Sequence, residues 1–369
     1  MVRRRPSHFL WTVFTVVAVV AVVAGPVTSA GGPRSDPEFG AAILTKDGVP
    51  TLALRKMVPV GYWPKSVELT PKGDIAVVAS IKGRSATLVD TETLDVVRTL
   101  TPPEFAPVET TFLPHQKRAL ISAGFLAHEV KIFDLDTWKQ VGRLRGGRRG
   151  RTHTIFPKVM AVSPDATKIY VTYWVSENVG VFDTTTLKRL GVVEVGAHPR
   201  GIAITGDGKK GYVCNFGLTR KSITVFDADE APFDVIGTIR GLPNPRHIVM
   251  SNDGRHAFVS LYGEGGGVAK IDSETDEVIA RSASTGEASK TLKLSADEKW
   301  IYLVNYGSGT VSILESASLE EVARYHAGVY PQGLSISADG KTLWTTEQDR
   351  VRIWDVSLPE SPLVKRSKL

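Results

Sequence analysis

Apolar and polar positions alternate along this chain on two scales. Locally, apolar residues recur at every second position, as in Val67/Leu69, Met160/Val162, Ile202/Ile204, Ile248/Met250, Leu292/Leu294 and Leu334/Ile336. That is the period of a strand with one face buried. On a longer scale an acidic residue closes a short apolar strand seven times, at Asp90, Asp134, Asp183, Asp227, Asp272, Glu315 and Asp355, with steps of 44, 49, 44, 45, 43 and 40 residues. A unit of this size made only of strands cannot bury both its faces alone, so neighbours must stack and close on one another.

The units also open alike. Proline stands at Pro64, Pro107, Pro157, Pro199, Pro245 and Pro331, and Ser289 takes its place in the sixth unit. A first strand follows, then a turn whose clearest copies are Asp207-Gly208, Asp253-Gly254 and Asp339-Gly340, where glycine tolerates the positive φ of a tight hairpin. Second and third strands come next, such as Ile301 to Asn305 and Thr310 to Leu314. The closing acid starts a further hairpin, because Asp and Thr side chains can bond nearby backbone amides. A fourth strand, such as Gly191 to Val195, completes the unit. Four antiparallel strands per unit, repeated radially, predict an all-β, seven-bladed propeller from about residue 61 to 360.

The runs Gly211-Tyr212-Val213-Cys214-Asn215 and Ile301-Tyr302-Leu303-Val304-Asn305, with a partial copy at Ile169 to Tyr173, resemble the YVTN family of seven-bladed propeller repeats. The likeness covers essentially the whole chain after its leader. It implies the fold; members bind, scaffold or catalyse, so it does not name a function. Lactonase propellers and the haem d1 domain are more distantly similar.

The last unit lacks a fourth strand, whereas Leu54 to Gly61 resembles one. The N-terminal strand is therefore expected to complete the seventh blade and remove an open edge; closure by Pro362 to Lys365 is the alternative. The predicted organisation is a signal peptide or N-terminal anchor at 1–30, a flexible linker and lead-in at 31–50, the propeller at 51–360 and a tail at 361–369. Arg3, Arg4 and Arg5 precede an uncharged stretch from Phe9 to Ala24, and Thr28, Ser29 and Ala30 offer a cleavage site, the form of an export signal. A periplasmic or extracellular, monomeric protein is expected, membrane-bound only if that segment stays uncleaved. Losing the three arginines would lower the formal charge from +6 to +3, so the position of the cations matters more than their number. Cys214, the only cysteine, lies on an apolar strand and reads as a small core residue.

In a propeller the first strand of each blade lines the central channel. The residue after each opening proline should therefore stand near the channel mouth, and there the sequence reads Lys65, Val108, Lys158, Arg200, Arg246, Lys290 and Gln332. At about 10 Å spacing and an effective dielectric of about 20, each neighbouring cation pair repels by about 1.7 kcal/mol, which an anion would relieve. Trp63, Phe156, His198 and Tyr330 precede the openings, and Phe125, Tyr173, Trp174, Phe216, Tyr262 and Tyr306 follow the second strands, placing flat rings on the same face. The 49-residue step carries a basic loop with Arg143, Arg145, Arg148, Arg149 and Arg151. The ordinary reading stands beside this one: rim cations reach solvent or pair with acids, rings pack blade on blade, and Glu109 pairs with Lys65 or Lys158.

No metal motif, nucleophile elbow, P-loop or dinucleotide fingerprint is present in the sequence. His128, His198 and His247 are the histidines placed to act as ligands or bases. No catalytic residue is assigned. Three readings follow. The first is a non-enzymatic propeller presenting Lys65, Lys158, Arg200, Arg246, Lys290, Trp63, His198, His247 and Tyr330 to a protein, glycan or other anionic ligand, with nucleic acid less favoured. The second is a lactonase-like hydrolase using Arg200, Arg246, His198 and His247. No cofactor is expected under either. The third is a carrier of a haem-like tetrapyrrole, with His198 or His247 meeting the iron.

Overall fold

Each repeat folds as an antiparallel four-stranded sheet, and seven of these sheets form a propeller, as the sequence predicts. The first consists of Pro64–Leu69, Ile75–Ser80, Ser85–Asp90 and Val96–Leu100, hydrogen-bonded in chain order. The same order recurs in the sheets whose first strands begin at Pro107, Pro157, Pro199, Pro245 and Ser289, and the sheet beginning at Leu334 takes its fourth strand from the N-terminal side of the chain, giving blades one to seven. This computed structural model describes residues 40–146, 156–217 and 221–358. The leader, residues 31–39 of the linker, Arg148, Arg149, Arg151 and the C-terminal tail lie outside the described residues.

Burial follows from the stacking. Every second strand shows one partly exposed residue and then five buried ones, because its two faces press against two neighbouring blades. Fourth strands are largely exposed, as at Val96–Leu100 and Gln140–Leu144, apart from Glu321–His326 of blade six, which a further strand covers. The apolar core is accordingly divided among blade interfaces. Leu88 and Ile121 share the cluster between blades one and two, Tyr170 and Val213 that between three and four, and Tyr302 and Leu343 that between six and seven. Trp344 and Ile353 of blade seven pack with Val67 and Val78 of blade one, which closes the circle.

The closing acids act locally. Asp90 accepts the backbone N–H groups of Glu92 and Thr93 at 2.9 and 2.8 Å, and Asp183 and Asp272 make the same pair of bonds to the residues that follow them. The asparagine of the YVTN runs fastens second to third strand: the fully buried Asn305 Nδ2 donates to Ser312 Oγ at 2.8 Å, and Asn215 Nδ2 to Thr224 Oγ1 at 2.8 Å.

Ring closure uses the N-terminal strand. Thr51–Pro59 pairs with Arg350–Ser357, from Thr51↔Ser357 to Pro59↔Arg350. The preceding segment departs from the expected linker. Ala42–Thr45 forms a strand on the outer edge of blade six, pairing with Glu321–His326, and Lys46 makes an ion pair with Glu320. These four residues are all exposed, so they have no buried face, and the alternation that marks other strands in the sequence is missing.

Candidate functional site

The site begins with an irregularity in the first strands. In blades one to six the register of first against second strand shifts immediately after the opening residue, for example between Pro157 and Met160 and between Pro245 and Ile248. Bulges re-aim side chains and leave a backbone amide without its ladder partner. Hydroxyls on the second strands take up that amide. Ser122, Thr172, Ser260 and Thr346 accept the N–H of Glu109, Val159, His247 and Gly333 at 3.1, 3.1, 3.0 and 2.8 Å. The same hydroxyls donate to a carbonyl of the next blade: Lys158 at 2.7 Å, Arg200 at 2.9 Å, Lys290 at 2.6 Å and Pro64 at 3.2 Å. Three of the cationic residues are thus held by their backbones from the blade before. Cys214 occupies the equivalent position in blade four; it is fully buried in the core, and burial pushes its thiol far up.

The backbone before the openings is strained as well. Trp63, His198, Asn244, Ala288 and Tyr330 have φ of 60°, 55°, 52°, 56° and 52°, a region that non-glycine residues seldom adopt.

Lys65, Lys158, Arg200, Arg246 and Lys290 line one cavity at the channel mouth, with Val108, Glu109, Val159, His247 and Thr291. Its volume is about 30 Å³. Among the described residues none of the five cations makes an ion pair with a carboxylate. Their polar partner is instead neutral: Gln332 Oε1 accepts from Lys65 Nζ at 2.8 Å and also from Lys290 Nζ. Below them Lys293 Nζ pairs with Glu68 at 2.8 and 3.0 Å.

Aromatic faces cover the cations. Lys158 Nζ lies 4.3 Å from the Phe156 ring centre and 5.3 Å from that of Trp174. The guanidinium of Arg200 is 4.3 Å from Phe216, that of Arg246 4.8 Å from Tyr262, and Lys290 Nζ 5.0 Å from Tyr306. Such contacts each contribute roughly 0.5–2 kcal/mol, which partly offsets the repulsion. The rings also touch one another, Trp174 with His198 at 4.7 Å and Tyr306 stacked on Tyr330 at 5.0 Å.

Burial is the first cause of the shifted titrations here, and like charge the second. Lys158 and Lys290 are driven well below the usual lysine range, and Lys65 to about 7, by burial and then by the neighbouring cations. The guanidinium groups of Arg200 and Arg246 are disfavoured by burial too, yet arginine keeps its charge, so for them the effect is an electrostatic cost. Burial, with Lys293 and Arg246, pushes His247 down to about 3, and its buried Nδ1 has no hydrogen-bond partner.

Several expectations change. Glu109 makes no ion pair with Lys65 or Lys158: it stands one residue deeper in the channel, and its carboxyl is raised to about 7 by burial and then by Glu68. Tyr173 is no rim residue; the end of its strand turns it into the core between blades two and three, fully buried. Trp63, His198 and Tyr330 ring the mouth without lining the cavity, Trp63 lying beneath Lys82 at 4.0 Å. In the basic loop, Arg145 and Arg143 pair with Glu129 at 3.1 and 3.9 Å and stand apart from the cavity lining. The hydroxyl fasteners were not anticipated, although a Ser or Thr at the fifth place of a second strand was there to be seen.

The comparisons agree with the fold. Residues 217–357 match the family described as lactonase, 7-bladed beta-propeller. Antigen Lp49 of Leptospira interrogans is 24% identical over 328 residues, covering 81% of this chain and 68% of the relative. The YncE protein of Salmonella typhimurium is 22% identical over 249 residues, 63% of this chain and 66% of that protein. The chain therefore spans about two thirds of the length of each. A chain of the Kuenenia stuttgartiensis hydrazine synthase superposes with a TM-score of 0.71 at 17% identity, over 89% of this chain and all of that one, which shows the fold alone. Fold and matches together define a seven-bladed β-propeller whose repeats resemble the YVTN type. Within that class the chain is YncE-like.

Proposed function

We propose that this chain is an exported binding protein whose channel mouth receives an anionic group of a partner protein, glycan or small ligand. One observation carries the reading: five buried or half-buried cations line a single cavity, and no carboxylate pairs with them among the described residues. Unpaired buried charge is costly, and an anion is the natural complement. The leader with Arg3 to Arg5 before an uncharged stretch supports export. Aromatic faces around the mouth add a surface on which sugar or planar groups stack. Reversing Arg200 and Arg246 to Glu should weaken a partner captured from the native host by at least tenfold while leaving the circular dichroism spectrum unchanged; unaltered affinity would remove the mouth from consideration.

A second reading has its own support, because the lactonase match spans residues 217–357 and so includes Arg246, His247 and Lys290. His247 stays neutral at ordinary pH, and its free Nδ1 could accept a proton from water, although a value near 3 makes it a weak base. Lactone opening abolished by His247→Ala would establish this reading; absence of turnover on phosphorylated and neutral lactones would exclude it. A tetrapyrrole fits less well. A cavity of about 30 Å³ falls far below the roughly 150 Å³ that admits a benzene ring. A macrocycle would have to rest on the rim, away from His247.

A further inference from the structure

Glu109 is the anomaly of the mouth. Its carboxylate lines the same cavity as five cations, yet it makes no hydrogen bond or ion pair among the described residues. At about 30 Å³ the cavity is too small for an extended ligand, so a group that meets its cations must be compact. Resting on the anion-binding reading above, we propose that this mouth is a proton-coupled site for a compact oxyanion such as a sulfate, phosphate or carboxylate group. The anion and the Glu109 carboxylate compete for the same cations, so seating the anion brings a proton onto Glu109.

The charges that face Glu109 come from all around the channel. Lys65 and Glu68 lie on the blade-one strand Pro64–Leu69, Lys158 on Pro157–Val162, Arg200 on Pro199–Ile204, Arg246 and His247 on Pro245–Met250, and Lys290 and Lys293 on Ser289–Leu294. Its own partner strand carries Arg118 at the far end. Burial and Glu68 oppose ionisation of Glu109, while Lys290, Lys293 and Lys65 favour it, leaving its midpoint at about 7. An added anion opposes ionisation further and moves the midpoint up. Lys65, also at about 7, moves the same way because an anion favours its charged form. Lys158 and Lys290, lowered by the same burial and like charge, respond in the same sense, so Glu109 and these lysines all take up protons on binding and affinity rises as pH falls. His247 stays neutral throughout and contributes nothing over this range.

Sulfate is the suitable probe, since its own charge is constant between pH 5.5 and 8.5. Calorimetric titration of the intact protein in chloride-free buffers of different ionisation enthalpy measures affinity and proton uptake together. The expected result is net uptake of at least half a proton above pH 7, with affinity falling about tenfold per pH unit for each coupled group. Glu109→Gln should bind sulfate about tenfold more tightly than the parent at pH 8 and retain only the share of the pH dependence that Lys65, Lys158 and Lys290 carry. Identical profiles for parent and variant, or binding without proton uptake, would overturn the coupling while leaving the anion site intact. No sulfate binding at any pH would overturn both. If the variant fails to fold, infrared difference spectra of the parent with and without sulfate at pH 7.5 serve instead. Growth of a protonated-carboxyl band supports the proposal, and its absence refutes it.

Discussion

Lys158 shows how a residue can be disfavoured where it stands. Its side chain is desolvated, lies within reach of Arg200, Lys65 and Arg246, and is attracted mainly by the rings of Phe125, Phe156 and Trp174. Lys158→Met should therefore stabilise the protein by about 1 kcal/mol in urea unfolding while weakening sulfate binding several-fold. Gly201 shows the opposite constraint. A Cβ there would come within 2.8 Å of the Arg246 carbonyl and the His247 Cα, both backbone atoms that cannot swing away. Gly201→Ala should cost about 1–3 kcal/mol, read as a lower urea midpoint, and should disturb the neighbouring cation. At this scale the sequence was partly legible. The position after each proline pointed to the mouth because it is set by local strand geometry. Glu109's isolation and the Ser122, Thr172 and Ser260 fasteners were hidden, since they depend on which blade lies next door.

At the level of strands and turns, short hydrogen bonds from Ser or Thr to an aspartate two residues later recur through the ring. Ser163 meets Asp165 at 2.5 Å, and Thr205, Ser251 and Ser337 meet Asp207, Asp253 and Asp339 at 2.6 Å. The Ser163 hydroxyl and the Thr167 amide hold Asp165 down to about 2, and the other three are lowered first by the same kind of hydroxyl bond. A carboxyl lowered on folding contributes stability that is complete above its unfolded value near 3.8 and lost as pH falls through its folded value. The urea midpoint should thus decline steeply between pH 4 and pH 2; a flat profile there would contradict the assignment. Ring closure by Thr51–Pro59 was readable because blade seven visibly lacked a strand. The edge strand Ala42–Thr45 was not, having no alternation to betray it. Deleting residues 41–60 should abolish cooperative unfolding, whereas deleting 40–46 should lower the midpoint only slightly.

For the molecule as a whole, stability is distributed over interfaces between blades, and repulsion is concentrated at one mouth. An anion that binds only the folded ring must raise its melting temperature. Sulfate should do so more than chloride at equal ionic strength, and the difference should vanish in the Arg200→Glu, Arg246→Glu double variant. The circular plan was legible from periodicity alone, but occupancy of its centre was not, since that depends on which side chains converge from distant repeats. The pairing of Thr51 with Ser357 has a temporal side. A ribosome working at about 5–20 residues per second needs roughly 15–60 seconds to travel between them. Through that interval Thr51–Pro59 must wait unpartnered, so the circle stays open until Arg350–Ser357 emerges and locks it.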